Sequence, residues 1–177
     1  GANAGAPSPH SEQFKLHNRA KGAAIVMSKL RVAVAGAGLI GRTHFSIARA
    51  ITTIELAAVV DPSPVADAVA SAASVPLFRT LDDLLNHDRP DGIVLATPNQ
   101  LHVPQALQCI EAGIPCLLEK PIAPTVAEAE ALVAAVDASG ARLLIGHHRA
   151  HSPIMAKARA VVQSGQLGRI AGVMGSA

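Results

Sequence analysis

The chain has 177 residues, half of them apolar, with 15 basic and 13 acidic side chains and a formal net charge of +2. That length suits one well-packed domain and would cramp two. No apolar run reaches the roughly 20 residues of a membrane span, and Phe14, Phe45 and Phe78 are the only aromatics, so neither a membrane nor a nucleic-acid partner is expected.

Residues 1–28 are small and polar, lack periodicity and begin without Met. They read as a disordered extension. Their charge is basic, from Lys15, Arg19 and Lys21 against Glu12, but the apolar run over 23–27 is too short for a secretory signal. From residue 29 onward short apolar runs alternate with helical periodicity. Strands are expected over 31–35, 54–60, 75–78, 92–96, 116–119 and 142–145, and helices over 39–50, 62–73, 81–86, 103–112 and 125–139. Thr80 serves as an N-cap, and Gly113 and Gly140 as stops. Strict alternation with short loops means α/β, a doubly wound parallel sheet with helices on both faces. The unbroken apolar runs over 32–35 and 93–96 suit strands covered on both faces. A further helix over 153–164 and a strand over 169–174 follow.

Gly36-Ala37-Gly38-Leu39-Ile40-Gly41 directly follows the first strand and opens the first helix, the context in which a GxGxxG pattern binds dinucleotides. Gly36 permits the tight turn, Gly38 lets the backbone approach a pyrophosphate, and Gly41 lets helix and strand pack closely. The N–H groups of Leu39, Ile40 and their neighbours at the helix start face the phosphates. Asp61, 20 residues after Gly41, ends the second strand where an acid accepts hydrogen bonds from the adenosine ribose. It also suits a cap before Pro62. An acid there repels a 2′-phosphate, and no Arg follows it before Arg79, so NAD is expected over NADP.

Ligands bind at the carboxyl ends of the strands in open α/β sheets. There the fourth strand delivers Thr97-Pro98-Asn99 and the fifth Glu119-Lys120-Pro121. With the glycine motif, His102, Gly146-His147-His148-Arg149, Ser152-Pro153 and Gly165 to Ile170, these residues resemble the oxidoreductase family of glucose-fructose oxidoreductase, inositol dehydrogenase and a rhizopine catabolism protein. The resemblance covers nearly everything after residue 28. It implies an NAD-dependent dehydrogenase acting on a sugar, cyclitol or related secondary alcohol. Lys120 would be the catalytic residue beside the nicotinamide, and Glu119 would contact the nicotinamide ribose. Thr97, Pro98, Asn99 and His102 would line the nicotinamide side, with Arg149 close by. A lysine near a reacting alcohol can stabilise oxyanion charge or exchange a proton.

His147, His148 and His151 also suggest a metal site, but neighbours on an extended segment point to opposite sides and no carboxylate or Cys completes a set, so no metal is expected. His44, inside the first helix, is expected to pack or face solvent. Cys109 and Cys116 match neither a CxxC nor a zinc spacing and read as buried thiols of a reducing, cytoplasmic compartment. Members of the resembled family continue into a second domain that holds much of the substrate pocket and the homo-oligomer interface. The expected organisation is thus a cofactor domain over 29–150, then, over 151–177, a connecting helix and the first strand of a truncated second domain. Such a chain is expected to bind cofactor with little turnover. A non-catalytic NAD-binding regulatory module and a methyltransferase are the competing readings.

Overall fold

The computed structural model describes residues 28–174. The extension over 1–28 therefore lies, but for its last residue, outside the described residues. Six strands and six helices alternate: β1 (Leu30–Ala35), α1 (Leu39–Ala50), β2 (Ile54–Val60), α2 (Val65–Ala73), β3 (Leu77–Phe78), α3 (Leu81–His87), β4 (Gly92–Leu95), α4 (His102–Glu111), β5 (Cys116–Leu118), α5 (Val126–Ser139), β6 (Leu143–Ile145) and α6 (Pro153–Gln163). Short 3₁₀ turns at Asn99–Leu101 and His148–His151 complete the set.

All strands pair in parallel in the order β3-β2-β1-β4-β5-β6. The chain order reverses between β1 and β4, so their carboxyl ends open a crevice that no crossover connection fills. On one face Phe45 of α1 and Ala66 and Ala70 of α2 pack on Val34, Leu56 and Val59. On the other, Leu81 and Leu84 of α3, Val103, Ala106 and Cys109 of α4 and Leu132 of α5 pack on Ala33, Ala35, Ile93, Leu95 and Leu118. The expected doubly wound architecture is observed. The small residues in β1 let the helices approach, and truncating a fully buried leucine such as Leu84 or Leu132 costs about 2–5 kcal/mol.

Local chemistry sets the boundaries. Thr80 accepts from the Asp83 N–H at 3.1 Å and Thr125 from the Glu128 N–H at 3.3 Å, so both helices start at hydroxyl caps. The second helix begins at Val65 rather than at Pro62, because Pro62, Ser63 and Pro64 form the turn that Asp61 holds. Gly140, at φ 66°, ends α5 in the left-handed conformation that glycine adopts at least cost.

The strand expected over 169–174 is not formed. This stretch pairs with none of the described strands, and Val173 and Met174 are 91% and 99% exposed. An apolar alternating run becomes a strand only against a neighbour that satisfies its backbone, and the described sheet offers it none. Helix α6 does form, capped by the Ser152 hydroxyl with Pro153 in its first turn, and buries none of its residues.

Candidate functional site

The glycine turn sits at the centre of the crevice. Gly36 has φ 100°, and a Cβ there would lie 2.3 Å from the Ala96 carbonyl oxygen at the end of β4. A Cβ on Gly41 would lie 1.8 Å from the Gly36 carbonyl oxygen, so α1 starts as close to the turn as a helix backbone can. A Cβ on Gly38 would meet nothing within 4 Å, which leaves the space over the turn free for a ligand. Gly38 caps α1 with no side-chain bond, and no acid stands in the first turn. The partial positive charge of the helix end is thus left for an anion to satisfy. Leu39 and Ile40 are exposed at the mouth.

Asp61 closes the adenosine side. Its Oδ2 accepts from the Ala37 N–H at 2.7 Å, and its Oδ1 accepts from the N–H of Ser63 at 2.8 Å and from the Ser63 hydroxyl. The acid therefore ties the glycine turn to β2, a role beyond ribose recognition that the sequence spacing did not reveal. Burial pushes its pKa up, but the bonds from the Ser63 hydroxyl and the two N–H groups outweigh this and hold it below the ordinary carboxylate value. Three bonds leave part of the carboxylate's acceptor capacity for a ligand. Arg79 reaches the same wall, donating to the Ser63 carbonyl at 3.2 Å and pairing with Asp67 at 2.8 Å. Distance in sequence had concealed this cation. The cleft bounded by the glycine turn, Asp61, Arg79, Thr97 and Pro98 has a volume of about 650 Å³, within the range of cofactor sites.

At the other end, the Thr97 hydroxyl donates to Gln105 Oε1 at 2.6 Å, and Pro98 and Asn99 stand exposed where the chain enters the 3₁₀ turn. His102 departs from expectation. Its ring is 1% exposed, with Nδ1 2.7 Å from the Pro121 carbonyl oxygen and Nε2 2.9 Å from that of Thr97. It lies beneath the cleft and joins the loops that carry Thr97 and Lys120, because α4 begins at His102 and turns its first side chain into the core. Glu119 is held too. His44 Nε2 lies 2.8 Å from its Oε1, and the Lys120 N–H donates to its Oε2 at 3.3 Å. A Cβ on Gly146 would meet the Glu119 carboxylate at 3.0 to 3.2 Å, so that glycine makes room for it. His44, which the helical pattern assigned to packing or solvent, is thus a partner of the Glu-Lys-Pro segment. The signal was its place one turn after Gly41, on the side of α1 that starts at the crevice. Lys120 and Arg149 are exposed and stand together with His147 and His148 around a second recess. Among the described residues, no group of three His, Cys, Asp or Glu converges as a metal site would require.

A family model described as the oxidoreductase family with an NAD-binding Rossmann fold matches residues 30–147. The chain belongs to this family. The rhizopine catabolism protein MocA of Rhizobium meliloti is 28% identical over 144 residues, covering 81% of this chain and 45% of the relative. Inositol 2-dehydrogenase 4 of Saccharopolyspora erythraea is 37% identical over 146 residues, covering 80% of this chain and 43% of the relative. The crystal structure of the WlbA dehydrogenase from Bordetella pertussis, in complex with NADH and UDP-GlcNAcA, superposes with a TM-score of 0.76 at 30% identity over 81% of this chain and 42% of that one. The chain thus spans less than half the length of the relatives it matches. As a family member it is an NAD-binding oxidoreductase domain, and the open space over Gly38 together with the unsatisfied end of α1 fits the pyrophosphate of that cofactor. Among the described residues no helix is long and apolar enough to cross a membrane.

Proposed function

We propose that this domain serves a dehydrogenase that moves a hydride between NAD and a secondary alcohol of a sugar or cyclitol. Residues 29–150 are its cofactor unit, and 151–177 lead to a substrate-binding part. The observation that carries the reading is the juxtaposition, along one sheet edge, of the glycine turn at β1, Asp61 at β2, Thr97 at β4 and Lys120 at β5. The inositol dehydrogenase among its relatives and the UDP-GlcNAcA in the WlbA complex support a sugar-like substrate.

Bound NAD supplies the hydride acceptor. The chain does the rest. Gly36, Gly38, Leu39, Ile40 and Gly41 present the turn and helix end to the pyrophosphate. Asp61 receives the adenosine ribose and disfavours a 2′-phosphate, which favours NAD over NADP. Thr97, Pro98 and Asn99 border the nicotinamide half, and Glu119, steadied by His44, receives its ribose. Lys120 holds the substrate hydroxyl through Nζ and stabilises the charge that develops on its oxygen as the hydroxyl proton passes to solvent water. Arg149 stands at the substrate side of this group. His102 acts from below, by fixing the loops of Thr97 and Lys120 to each other.

Hydride transfer requires the alcohol to be oriented as well as bound, and orientation is worth several powers of ten in rate. Among the described residues Lys120, His147, His148 and Arg149 are exposed on one open wall, which orients an alcohol less than an enclosed pocket does. The 177-residue chain is accordingly proposed to bind cofactor but to turn over feebly. The test is reduction of NAD, followed by absorbance, with myo-inositol, D-glucose, D-glucuronate or D-glucose 6-phosphate as donor. The expected rate is far below the roughly 1 to 1000 s⁻¹ usual for enzymes, and is abolished in Lys120→Met. A rate in the usual range would contradict the orientation argument, and a rate indifferent to Lys120 would remove its role.

A further inference from the structure

The second recess, beyond the nicotinamide end of the cleft, has a volume of about 490 Å³ and is bounded by Lys120, Gly146, His147, His148, Arg149 and Ala150. No acidic side chain lines it. The nearest carboxylate in sequence, Glu119, is engaged by His44 and by the Lys120 backbone N–H. Among the described residues the ion pairs are Arg31 with Asp88 and Arg79 with Asp67, and Glu119 is met by His44, so neither Lys120 nor Arg149 has an acidic partner there.

The charge of this lining is one-sided. A lysine ammonium offers three donors and no acceptor, and an arginine guanidinium offers five donors and no acceptor. Imidazoles offer one donor and one acceptor when neutral and two donors when charged. A neutral polyol could give its hydroxyl protons only to a neutral imidazole and would leave the two cations uncompensated. A ligand rich in acceptors and negative in charge satisfies both, and a carboxylate or phosphate matches the guanidinium fork in two parallel bonds. The position is also specific. β6 lies beyond β5 from the glycine turn, and Lys120 and Arg149, which follow these two strands, line the same recess. A molecule with its reacting hydroxyl at Lys120 would place its far end there.

We infer that the substrate is an anionic sugar or cyclitol, a sugar acid or sugar phosphate, whose charged group is received by Arg149 with His147 and His148 while Lys120 holds the reacting hydroxyl. This rests on the dehydrogenase reading and narrows it. It also accounts for the run His147-His148-Arg149, which the metal reading left unused.

The experiment uses the whole chain saturated with NADH, with nicotinamide fluorescence reporting the addition of D-glucuronate, D-glucose 6-phosphate, D-glucose or myo-inositol. One or both anions are expected to bind at least about tenfold tighter than the neutral sugars, the worth of one charge-assisted pair. The glucuronate and phosphate arms decide which anion is preferred. Arg149→Gln is expected to abolish the preference, and Arg149→Lys to restore part of it. Anions binding no tighter than glucose and myo-inositol, or a preference that survives Arg149→Gln, would overturn the assignment while leaving the cofactor reading standing. Failure of NADH itself to saturate the chain, read before any sugar is added, would overturn the cofactor reading and the substrate class with it.

Discussion

Gly41 and Gly38 stand three residues apart in one motif, yet the structure gives their replacement by alanine opposite consequences. A methyl on Gly41 would lie 1.8 Å from a backbone oxygen, about 1.6 Å short of ordinary van der Waals contact, and the obstacle is the glycine turn itself, which cannot rotate aside. Helix α1 would have to withdraw from β1 and uncover Phe45 and Ala48. Overpacking against flexible side chains costs about 1–3 kcal/mol, and a clash with backbone belongs at or beyond the upper end. At roughly 2–4 °C per kcal/mol for a chain of this size, Gly41→Ala should lower the melting temperature by about 10 °C. A methyl on Gly38 meets nothing, and the backbone there, at φ −70° and ψ −170°, suits any residue. Gly38→Ala should therefore melt within a few degrees of the parent, while the methyl occupies the space of the pyrophosphate and weakens NADH binding by about tenfold or more, about 1.4 kcal/mol. Calorimetry and nicotinamide fluorescence on the two variants read both quantities. A Gly41→Ala chain as stable as the parent, or a Gly38→Ala chain that binds NADH undiminished, would refute the assignment of one glycine to packing and the other to the ligand.

Three further outcomes follow. Asp61 has a folded pKa below its ordinary value, so its contribution to stability is full above the unfolded value near 4 and is lost as pH falls below about 4, toward and through the folded value; acid unfolding monitored by circular dichroism should show this dependence in the parent and less of it in Asp61→Asn. Replacing His102 by Leu removes the buried ring between the Thr97 and Pro121 carbonyls and leaves at least one of them without a donor, for a loss of about 2 kcal/mol and a melting temperature lower by roughly 5 °C; unchanged thermal unfolding would contradict its role as a tie between loops. His44→Ala should weaken NADH binding several-fold by releasing Glu119, with His44→Gln recovering much of the loss, and equal affinities in all three chains would detach His44 from the site.

The element order and the crevice were legible because each rests on local pattern. Apolar runs, Thr80 and Thr125 at helix starts, glycines at helix ends, and the spacing from Gly41 to Asp61 all act within a few residues or one βα unit. What escaped the sequence depends on partners far along the chain. His44 meets Glu119 75 residues later, Arg79 reaches the wall of Asp61 across a helix, and His102 bonds to Pro121 across β5. A histidine on a helix gives no sign of which element it will face. The strand expected over 169–174 failed for a related reason: alternation specifies a face, and the ladder needs a neighbour.

The most direct test of the account is a parallel titration of the chain with NADH and NADPH, read by nicotinamide fluorescence, with Asp61→Ala as the control. Saturable NADH binding is expected, with weaker NADPH binding and a preference that shrinks or reverses in Asp61→Ala as the acid that repels a 2′-phosphate is removed. Saturation by neither cofactor, or NADPH binding as tightly as NADH in the parent, would contradict it.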